Sequence, residues 1–275
     1  MFFGHMVPGV VSAAIARTTI PFGTLRIWNN GASYEWVYKN NWYGFDEAMK
    51  SSGRYQLLYV LAGELTLTLP AMPDWRAFVR EAVDRAAGRI AIWEPMNEPA
   101  YITSGATGKL ALAGEIYEYA GVTHDIIKTG DKNAIVLTPS FNEMGRAFER
   151  DFAQGYIDLM AAMGNLADAI AFHSYSGDAY QDLQILGSMQ NPHSMDLPVY
   201  LTETVTTTAM LQKLANAGVV RCVVQNSQIE GEDDLDASQG KGLAWTQNYN
   251  AMLAPMIPQE AATRKGCSPL RLFQR

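Results

Sequence analysis

Two apolar stretches of this chain end in carboxylates. The first, AIWEPMNEPA, covers residues 91–100 and includes Asn97 and Glu98, and the second, PVYLTET, covers residues 198–204 and includes Glu203. Two carboxyl groups in one cleft suit the cleavage of a glycosidic bond, because one can protonate the leaving oxygen while the other attacks the anomeric carbon or activates water. The environment must then raise the pKa of the first and keep the second ionised. This chemistry requires a fold that brings the two stretches together.

The alternation of segments along the chain predicts the elements of such a fold. Short apolar runs alternate with longer segments of helical character, which is typical of repeated βα units with a parallel sheet. Eight strands are predicted, at residues 2–6, 24–28, 56–61, 90–93, 134–137, 169–172, 198–201 and 219–224. Four helices are predicted between them, at residues 74–87, 109–129, 147–163 and 206–217, and glycine directly follows each of the last three.

Eight strands with intervening helices in 275 residues predict a (β/α)8 barrel, an α/β fold, as a single domain over residues 1–275. The active site of such a barrel lies at the C-terminal ends of its strands. Glu98 and Glu203 follow the fourth and seventh predicted strands, so we expect them to face each other across the barrel mouth. A doubly wound open sheet is the alternative, but the first strand lacks the glycine-rich turn of a nucleotide site. The first βα unit is too short for a full helix.

Composition argues against several classes of function. A net charge of −7 and the lack of a basic run disfavour nucleic acid as a partner. No apolar run is long enough to span a membrane, and the first residues do not resemble a secretory leader. Cys222 and Cys267 form no disulfide framework, and four scattered histidines form no metal motif, so we expect neither metal nor cofactor. The negative charge also mildly disfavours strongly anionic polysaccharides.

Three motifs, in the order of the strands, resemble the pattern of glycoside hydrolase clan A: WEPMNEP at residues 93–99, FHSY at 172–175 and LTE at 201–203. The segments FFGHM at 2–6 and FGTLRIWN at 22–29 are similar to bacterial members of family 39 and their relatives. The resemblance implies a retaining O-glycosyl hydrolase of an oligosaccharide or polysaccharide, without a cofactor. It also suggests a secreted or periplasmic protein if a leader has been removed.

The resemblance implies a role for individual residues. Glu98 would be the general acid and base, Glu203 the nucleophile, and Asn97 would hold the 2-hydroxyl of the sugar. Arg26 resembles the arginine that pairs with the nucleophile and lowers its pKa, and Tyr175 resembles the tyrosine that donates to it. The other predicted substrate-binding residues are His173, Trp28 and Trp93. Glu94 is expected to be a buried partner of Arg26 or a wall residue.

Two departures from the clan pattern leave alternatives open. The eighth strand ends near Gln225 without the expected tryptophan, and Thr204 rather than glycine follows Glu203. A carbohydrate-binding barrel without turnover is therefore the second hypothesis. The third is a barrel enzyme of another class, such as an aldolase or a phosphate-using isomerase, although no glycine-rich phosphate turn lies near strands seven and eight. His173 also has an alternative interpretation as a core histidine.

The aromatic-rich stretch at residues 31–45 has two interpretations. Its rings could form sugar-stacking walls, because an aromatic face packs against apolar sugar C–H groups while its polar tip stays in water. They could equally form a small core beneath a long loop. The acidic run at residues 230–236 is expected to be a solvated loop because it lacks the spacing of a calcium loop.

Overall fold

A computed structural model gives the fold of the chain. It describes residues 2–7, 24–27, 42, 45, 46, 49, 56–62, 69–102, 108–175, 179–204, 210, 213, 214, 216, 217 and 221–224. The strands are β1 Phe2–Val7, β2 Thr24–Ile27, β3 Gln56–Ala62, β4 Ile90–Met96, β5 Ile135–Val136, β6 Ile170–Ser174, β7 Val199–Thr204 and β8 Arg221–Val224. The helices are α1 Met72–Ala86, α2 Lys109–Gly130, α3 Ala147–Met163 and α4 Ala179–Gln190, with 3-10 helices at Pro99–Tyr101 and Asn191–His193.

The strands form one parallel sheet in the order β5-β4-β3-β2-β1-β8-β7-β6. Its two edges also meet, because Leu137 bridges Ala169 and Phe141 bridges Phe172, both in parallel. The backbone N–H of Thr138 donates to the Ala169 carbonyl at 2.9 Å across this seam. The sheet therefore closes into a barrel, and the predicted (β/α)8 fold is confirmed.

Side chains alternate between the barrel interior and the layer beneath the helices. Leu58 and Val60 of β3 belong to an interior cluster with Ile92 of β4. Leu57 and Tyr59 of β3 belong instead to the larger core that the helices cover. Helix α1 buries one apolar stripe against this layer, formed by Trp75, Phe78, Val79, Ala82, Val83 and Ala86. Burial of a large apolar side chain contributes roughly 1.5–3 kcal/mol, so this stripe holds α1 on the sheet.

Two helix predictions differ from the structure. Helix α1 begins at Met72, before the predicted start at residue 74, because Pro73 fits the first helical turn. Helix α4 was not predicted, since its buried stripe includes the polar residues Asp182 and Gln190, which weaken the apolar pattern. The predicted helix at 206–217 lies only partly within the described residues, of which 210, 213, 214 and 216 are helical. The single-domain organisation stays a prediction.

Two rings of the aromatic-rich stretch belong to the core. Trp42 stacks on Phe78 of α1, with ring centroids 5.6 Å apart, and Phe45 lies edge-on to Tyr59 at 4.7 Å. Both belong to the large core that the helices cover, which favours a core role over a sugar-stacking wall for these two residues. The other residues of the stretch lie outside the described residues, as does the acidic run at 230–236. Among the described helices, none is long and apolar enough to cross a membrane.

Candidate active site

The ends of four strands bring six polar side chains together at the barrel mouth. β2 contributes Arg26, and β7 contributes Glu203. Asn97 and Glu98 follow the end of β4. His173 lies in β6, and Tyr175 directly follows that strand. Hydrogen bonds join Arg26 to Glu203 and Asn97, Tyr175 to Glu203, and His173 to Glu98, and His173 Nε2 lies 3.5 Å from Arg26 Nη2.

Arg26 lies at the centre of this group and is fully buried. Its Nε and Nη2 donate to Glu94 at 3.0 and 2.6 Å, its Nη1 donates to Glu203, and its Nη2 also donates to Asn97 Oδ1 at 2.9 Å. Burial lowers the pKa of Arg26, but the charges of Glu94 and Glu203 outweigh burial and raise it. The guanidinium therefore stays charged, and the prediction that Glu94 is a buried partner of Arg26 is confirmed.

A β-bulge turns Glu203 towards the barrel interior. Tyr200 belongs to the interior cluster and Leu201 to the outer core, so strict alternation would point Glu203 outward. The register with β6 shifts, however: Phe172 pairs with Leu201, but His173 pairs with Glu203. The extra residue in β7, Thr202, restores the inward direction at Glu203. Bulges of this kind re-aim side chains beside active sites.

The partners of Glu203 favour its ionised form. Arg26 Nη1 donates to one carboxylate oxygen and the Tyr175 hydroxyl donates to the other. Burial raises the pKa of Glu203, but the charges of His173 and Arg26 and these hydrogen bonds outweigh burial, so the pKa is lowered. Burial and the charge of Glu203 raise the pKa of Tyr175, which keeps its hydroxyl protonated and able to donate.

Glu98 lies in a different setting at the end of β4. Its backbone has φ 43° and ψ 52°, a left-handed conformation that is uncommon for a residue other than glycine. Its N–H donates to Ser140 Oγ at 3.0 Å. Its side chain is 20% exposed, and its Oε1 lies 2.6 Å from His173 Nδ1. Ser140 was not predicted, although a polar residue just after the fifth strand is a signal that could have indicated it.

His173 connects the two glutamates electrostatically. Burial lowers the pKa of His173, but the charge of Glu203 and the hydrogen bond and charge of Glu98 outweigh burial and raise it. Its Nε2 lies 3.5 Å from Arg26 Nη2. His173 therefore lies beside Glu98 as a fully buried, hydrogen-bonded side chain, and its predicted contact with substrate stays a prediction.

The donor atoms of Glu98, His173 and Glu203 lie close together, with one atom of each within 4.8 Å of the others. Such a group could surround a metal ion, but the Arg26 guanidinium bonded to Glu203 opposes a second positive charge there. For a carboxylate pair, retaining glycosidases hold the two groups about 5–5.5 Å apart, and inverting enzymes hold them about 6.5–9.5 Å apart. One carboxylate oxygen of Glu98 lies within 4.8 Å of one of Glu203.

The structure corrects the prediction for Trp93. This side chain is 2% exposed and belongs to the core that the helices cover, where it lies edge-on to Tyr59 at 6.1 Å. Because side chains alternate along β4, Trp93 points away from the face that carries Glu94, and it does not reach the barrel mouth. Trp28 and Gln225 lie outside the described residues, so the predicted substrate contact of Trp28 stays a prediction.

Solved glycoside hydrolases share this fold at low sequence identity. A glucosidase from Croceicoccus marinus matches with a TM-score of 0.59 and 12% identity. The match covers 81% of this chain and 59% of the glucosidase. Xylanase 10B from Thermotoga maritima matches with a TM-score of 0.55 and 14% identity over 82% of both chains. Xylanase 10B from Thermotoga petrophila RKU-1, solved with xylobiose, matches with a TM-score of 0.58 and 13% identity over 82% of this chain and 81% of the xylanase.

These matches establish a barrel fold similar to that of glycoside hydrolases. No protein-family model matches the chain. No curated protein matches it either. The predicted closeness to family 39 is not shown by these comparisons, several of which are with members of glycoside hydrolase family 10, and it stays a prediction.

Proposed function

We propose that this chain is a retaining O-glycosyl hydrolase that cleaves oligosaccharides or polysaccharides by double displacement. The observation that carries the proposal is the pair formed by Glu98 and Glu203, which have carboxylate oxygens within 4.8 Å of each other. The two also differ in environment, since Glu203 is 1% exposed among donors and Glu98 is 20% exposed with one histidine partner. Such a difference separates the roles of two carboxylates in one site.

In the first step, Glu203 attacks the anomeric carbon. The bond from that carbon to the leaving oxygen breaks, and Glu98 gives the leaving oxygen a proton. Glu98 Oε1 shares a hydrogen bond with His173 Nδ1 at 2.6 Å, so a proton lies between these two side chains. Glu203 starts the step ionised because Arg26 and Tyr175 stabilise its charge.

In the second step, water replaces the departed group. Glu98, now deprotonated, takes a proton from the water as its oxygen attacks the anomeric carbon, and the bond to Glu203 breaks. Arg26 and Tyr175 again stabilise the carboxylate that leaves. Asn97, held by Arg26 Nη2 through its Oδ1, keeps its amide NH2 for the sugar 2-hydroxyl.

The proposal is tested by trapping the glycosyl-enzyme. The protein is incubated with a panel of 2-deoxy-2-fluoro glycosides bearing good leaving groups, beginning with the xyloside, because a relative was solved with xylobiose. Intact-protein mass spectrometry should show a covalent adduct, and peptide mapping should locate it on Glu203. Glu203→Gln should give no adduct, whereas the surface variant Met163→Ala should react like the native protein.

Absence of an adduct with every sugar, in a protein with an intact circular dichroism spectrum, would contradict the proposal. Saccharide binding by calorimetry under those conditions would favour the carbohydrate-binding barrel without turnover. Turnover of a sugar phosphate would favour the barrel enzyme of another class.

A further inference from the structure

An exposed aromatic residue, Tyr101, lies three residues after Glu98. Tyr101 ends the 3-10 helix Pro99–Tyr101, and its backbone N–H donates to the Glu98 carbonyl at 3.2 Å. The Tyr101 side chain is 43% exposed, and no other aromatic side chain in the described part of the chain is classed as exposed. Both α2 and α3 flank this turn, and the proposed hydrolysis assigns no role to the ring.

The surroundings of Tyr101 fix the ring without covering it. Its hydroxyl accepts hydrogen bonds from Arg146 Nη1 and from Asn142 Nδ2, the latter at 3.3 Å. Its ring lies edge-on to Phe148, with centroids 5.3 Å apart and planes at 76°. An aromatic ring that is already ordered loses little conformational entropy when a ligand stacks on it. An exposed ring held in this way suits stacking by a sugar.

The position of Tyr101 relative to the two glutamates indicates which sugar it would meet. Glu203 attacks the anomeric carbon, so the sugar that is transferred lies over Glu203. Glu98 protonates the leaving oxygen, so the group attached to that oxygen lies on the Glu98 side. Tyr101 follows Glu98 by one short turn, and the charge of Glu98 is among those that raise the pKa of the Tyr101 hydroxyl, so the ring lies on the Glu98 side.

The charges around the ring already have partners. Arg146 forms an ion pair with Glu143, and Lys109 Nζ donates to the Ala100 carbonyl and lies 5.6 Å from the Phe148 ring centroid. A carboxylated sugar would have to compete with Glu143 for Arg146. An uncharged sugar needs only the ring face and the donors at its rim.

We infer that Tyr101 is the stacking platform for an uncharged sugar on the leaving-group side. The inference rests on the proposed function and narrows it, because the sugar on the leaving-group side becomes an uncharged one that stacks on Tyr101. Glycosides of small alcohols would leave this platform empty. Arg146 and Asn142 hold the platform in place as positioning residues.

The platform can be tested through the glycosyl-enzyme. A sugar bound there can replace water in the second step: its hydroxyl oxygen attacks the anomeric carbon, its proton passes to Glu98, and the bond to Glu203 breaks. The protein is first trapped with the 2-deoxy-2-fluoroglycosyl fluoride of the reacting sugar, whose fluoride leaving group does not extend to Tyr101. Excess reagent is removed, and recovery of activity is followed in buffer alone and with methyl glycosides of uncharged sugars.

The readout is the ratio of recovery with saccharide to recovery in buffer. We expect Tyr101→Ala to lower this ratio by about 10-fold, which corresponds to about 1.4 kcal/mol. Tyr101→Phe keeps the ring and should stay within about threefold of the native ratio, since the stacking face is unchanged. Leu110→Ala, a control at an exposed position at the start of α2, should leave the ratio unchanged.

Four results would overturn the inference. An unchanged ratio in Tyr101→Ala would refute the platform while the trapped intermediate still supported the proposed function. If Tyr101→Ala lowered the trapping rate by the same factor as the recovery ratio, the ring would act on the sugar that lies over Glu203. Failure of every fluoride to trap the native protein would overturn the proposed function and the platform with it. Faster recovery with methyl uronates than with uncharged glycosides would refute the preference for an uncharged sugar.

Discussion

Two buried carboxyl groups near the barrel mouth have opposite tendencies to ionise. Glu203 of β7 is 1% exposed and Glu149 of α3 is 0% exposed, so burial is the same for both. Yet the pKa of Glu203 is lowered, whereas burial raises the pKa of Glu149 to about 8. Burial alone therefore does not decide which carboxyl group carries a charge.

The hydrogen-bond partners of the two groups explain the difference. Glu203 accepts from Arg26 and Tyr175 and lies near the charge of His173. Glu149 accepts a single backbone N–H, that of Asn142 at 3.3 Å, and its Oε1 has no partner among the described residues. The nearby charge of Glu98 raises the pKa of Glu149 further. Charged donors thus outweigh burial at Glu203, and one neutral donor does not outweigh it at Glu149.

The largest expected effect comes from changing Glu203 to an amide. The same change at Glu149, made in a separate variant, provides the contrast. Glu203→Gln removes the nucleophile and should lower kcat by about 10⁴-fold or more. Enzymes that form a covalent intermediate lose most of their rate when the nucleophile is removed. Glu149→Gln should stay within about threefold at pH 6, where the native carboxyl group is already neutral. Initial rates on the glycoside identified by trapping measure both.

Equal losses of activity in the two amide variants would contradict the different ionisation of Glu203 and Glu149. Circular dichroism of both variants provides the control, because each replaces a buried side chain by one of the same shape.

Glu98→Ala should have the next largest effect, and its size should depend on the leaving group. General acid catalysis contributes about 10²–10⁴-fold, so hydrolysis of an oligosaccharide should fall by that factor. Trapping by a glycosyl fluoride needs little protonation and should change by less than about 10-fold. The matched variant Glu203→Ala should lose both reactions. Equal losses for the two leaving groups in Glu98→Ala would remove the proton-donor role from Glu98.

The sequence predicted the barrel because its strands are short apolar runs separated by helical segments of regular length. Three motifs at strand ends, together with the segment at residues 22–29 that contains Arg26, predicted which polar residues lie together at the mouth. It misplaced Trp93 because the sequence of β4 does not tell which of Trp93 and Glu94 faces the interior. The bulge at Thr202 left no sequence signal either, since it depends on the register with β6.

Glu149 was missed for a related reason. It lies on a helix rather than at a strand end, in a segment where an acidic residue in the first turn fits an exposed helix start. Only the packing of α3 against the β5 end makes it a buried group. Its environment is therefore a tertiary property that local pattern does not reveal.

The effect of Glu149 on stability should appear between pH 4.5 and about 8. The unfolded chain releases this proton near the ordinary value of 4.5, whereas the folded protein retains it up to about 8. Raising the pH through this window therefore favours unfolding. The contribution of Glu149 to the free energy of unfolding is fully present below pH 4.5 and falls by roughly 1.4 kcal/mol for each pH unit above it. Glu149→Gln should remove this part of the pH dependence, on the order of 4 kcal/mol in total.

Urea denaturation of the native protein and Glu149→Gln at pH 5, 6, 7 and 8 measures the difference. Asp151→Asn, an exposed change on the same helix, is the control and should follow the native curve. If the free energy of unfolding changed with pH in the same way for the native protein and Glu149→Gln, Glu149 would ionise normally. Glu149 and Glu203 would then not have opposite tendencies to ionise.

The smallest expected effect concerns the hydrogen bond from Tyr175 to Glu203. Burial raises the pKa of Glu203, and His173, Arg26 and this hydrogen bond lower it. A hydrogen bond to a charged group stabilises that charge, so Tyr175→Phe should raise the pKa of Glu203. Because kcat/KM requires ionised Glu203, its acid limb should move to higher pH in the variant.

Tyr156→Phe is the matched control for this measurement, because the buried Tyr156 hydroxyl has no hydrogen-bond partner among the described residues. Its acid limb should coincide with that of the native protein. An unmoved acid limb in Tyr175→Phe, with the fold intact, would mean that Arg26 and His173 alone keep Glu203 ionised. The contrast with Glu149 would then depend on positive charge and not on the number of donors, because Tyr175 is the only neutral donor to Glu203 in the described part of the site.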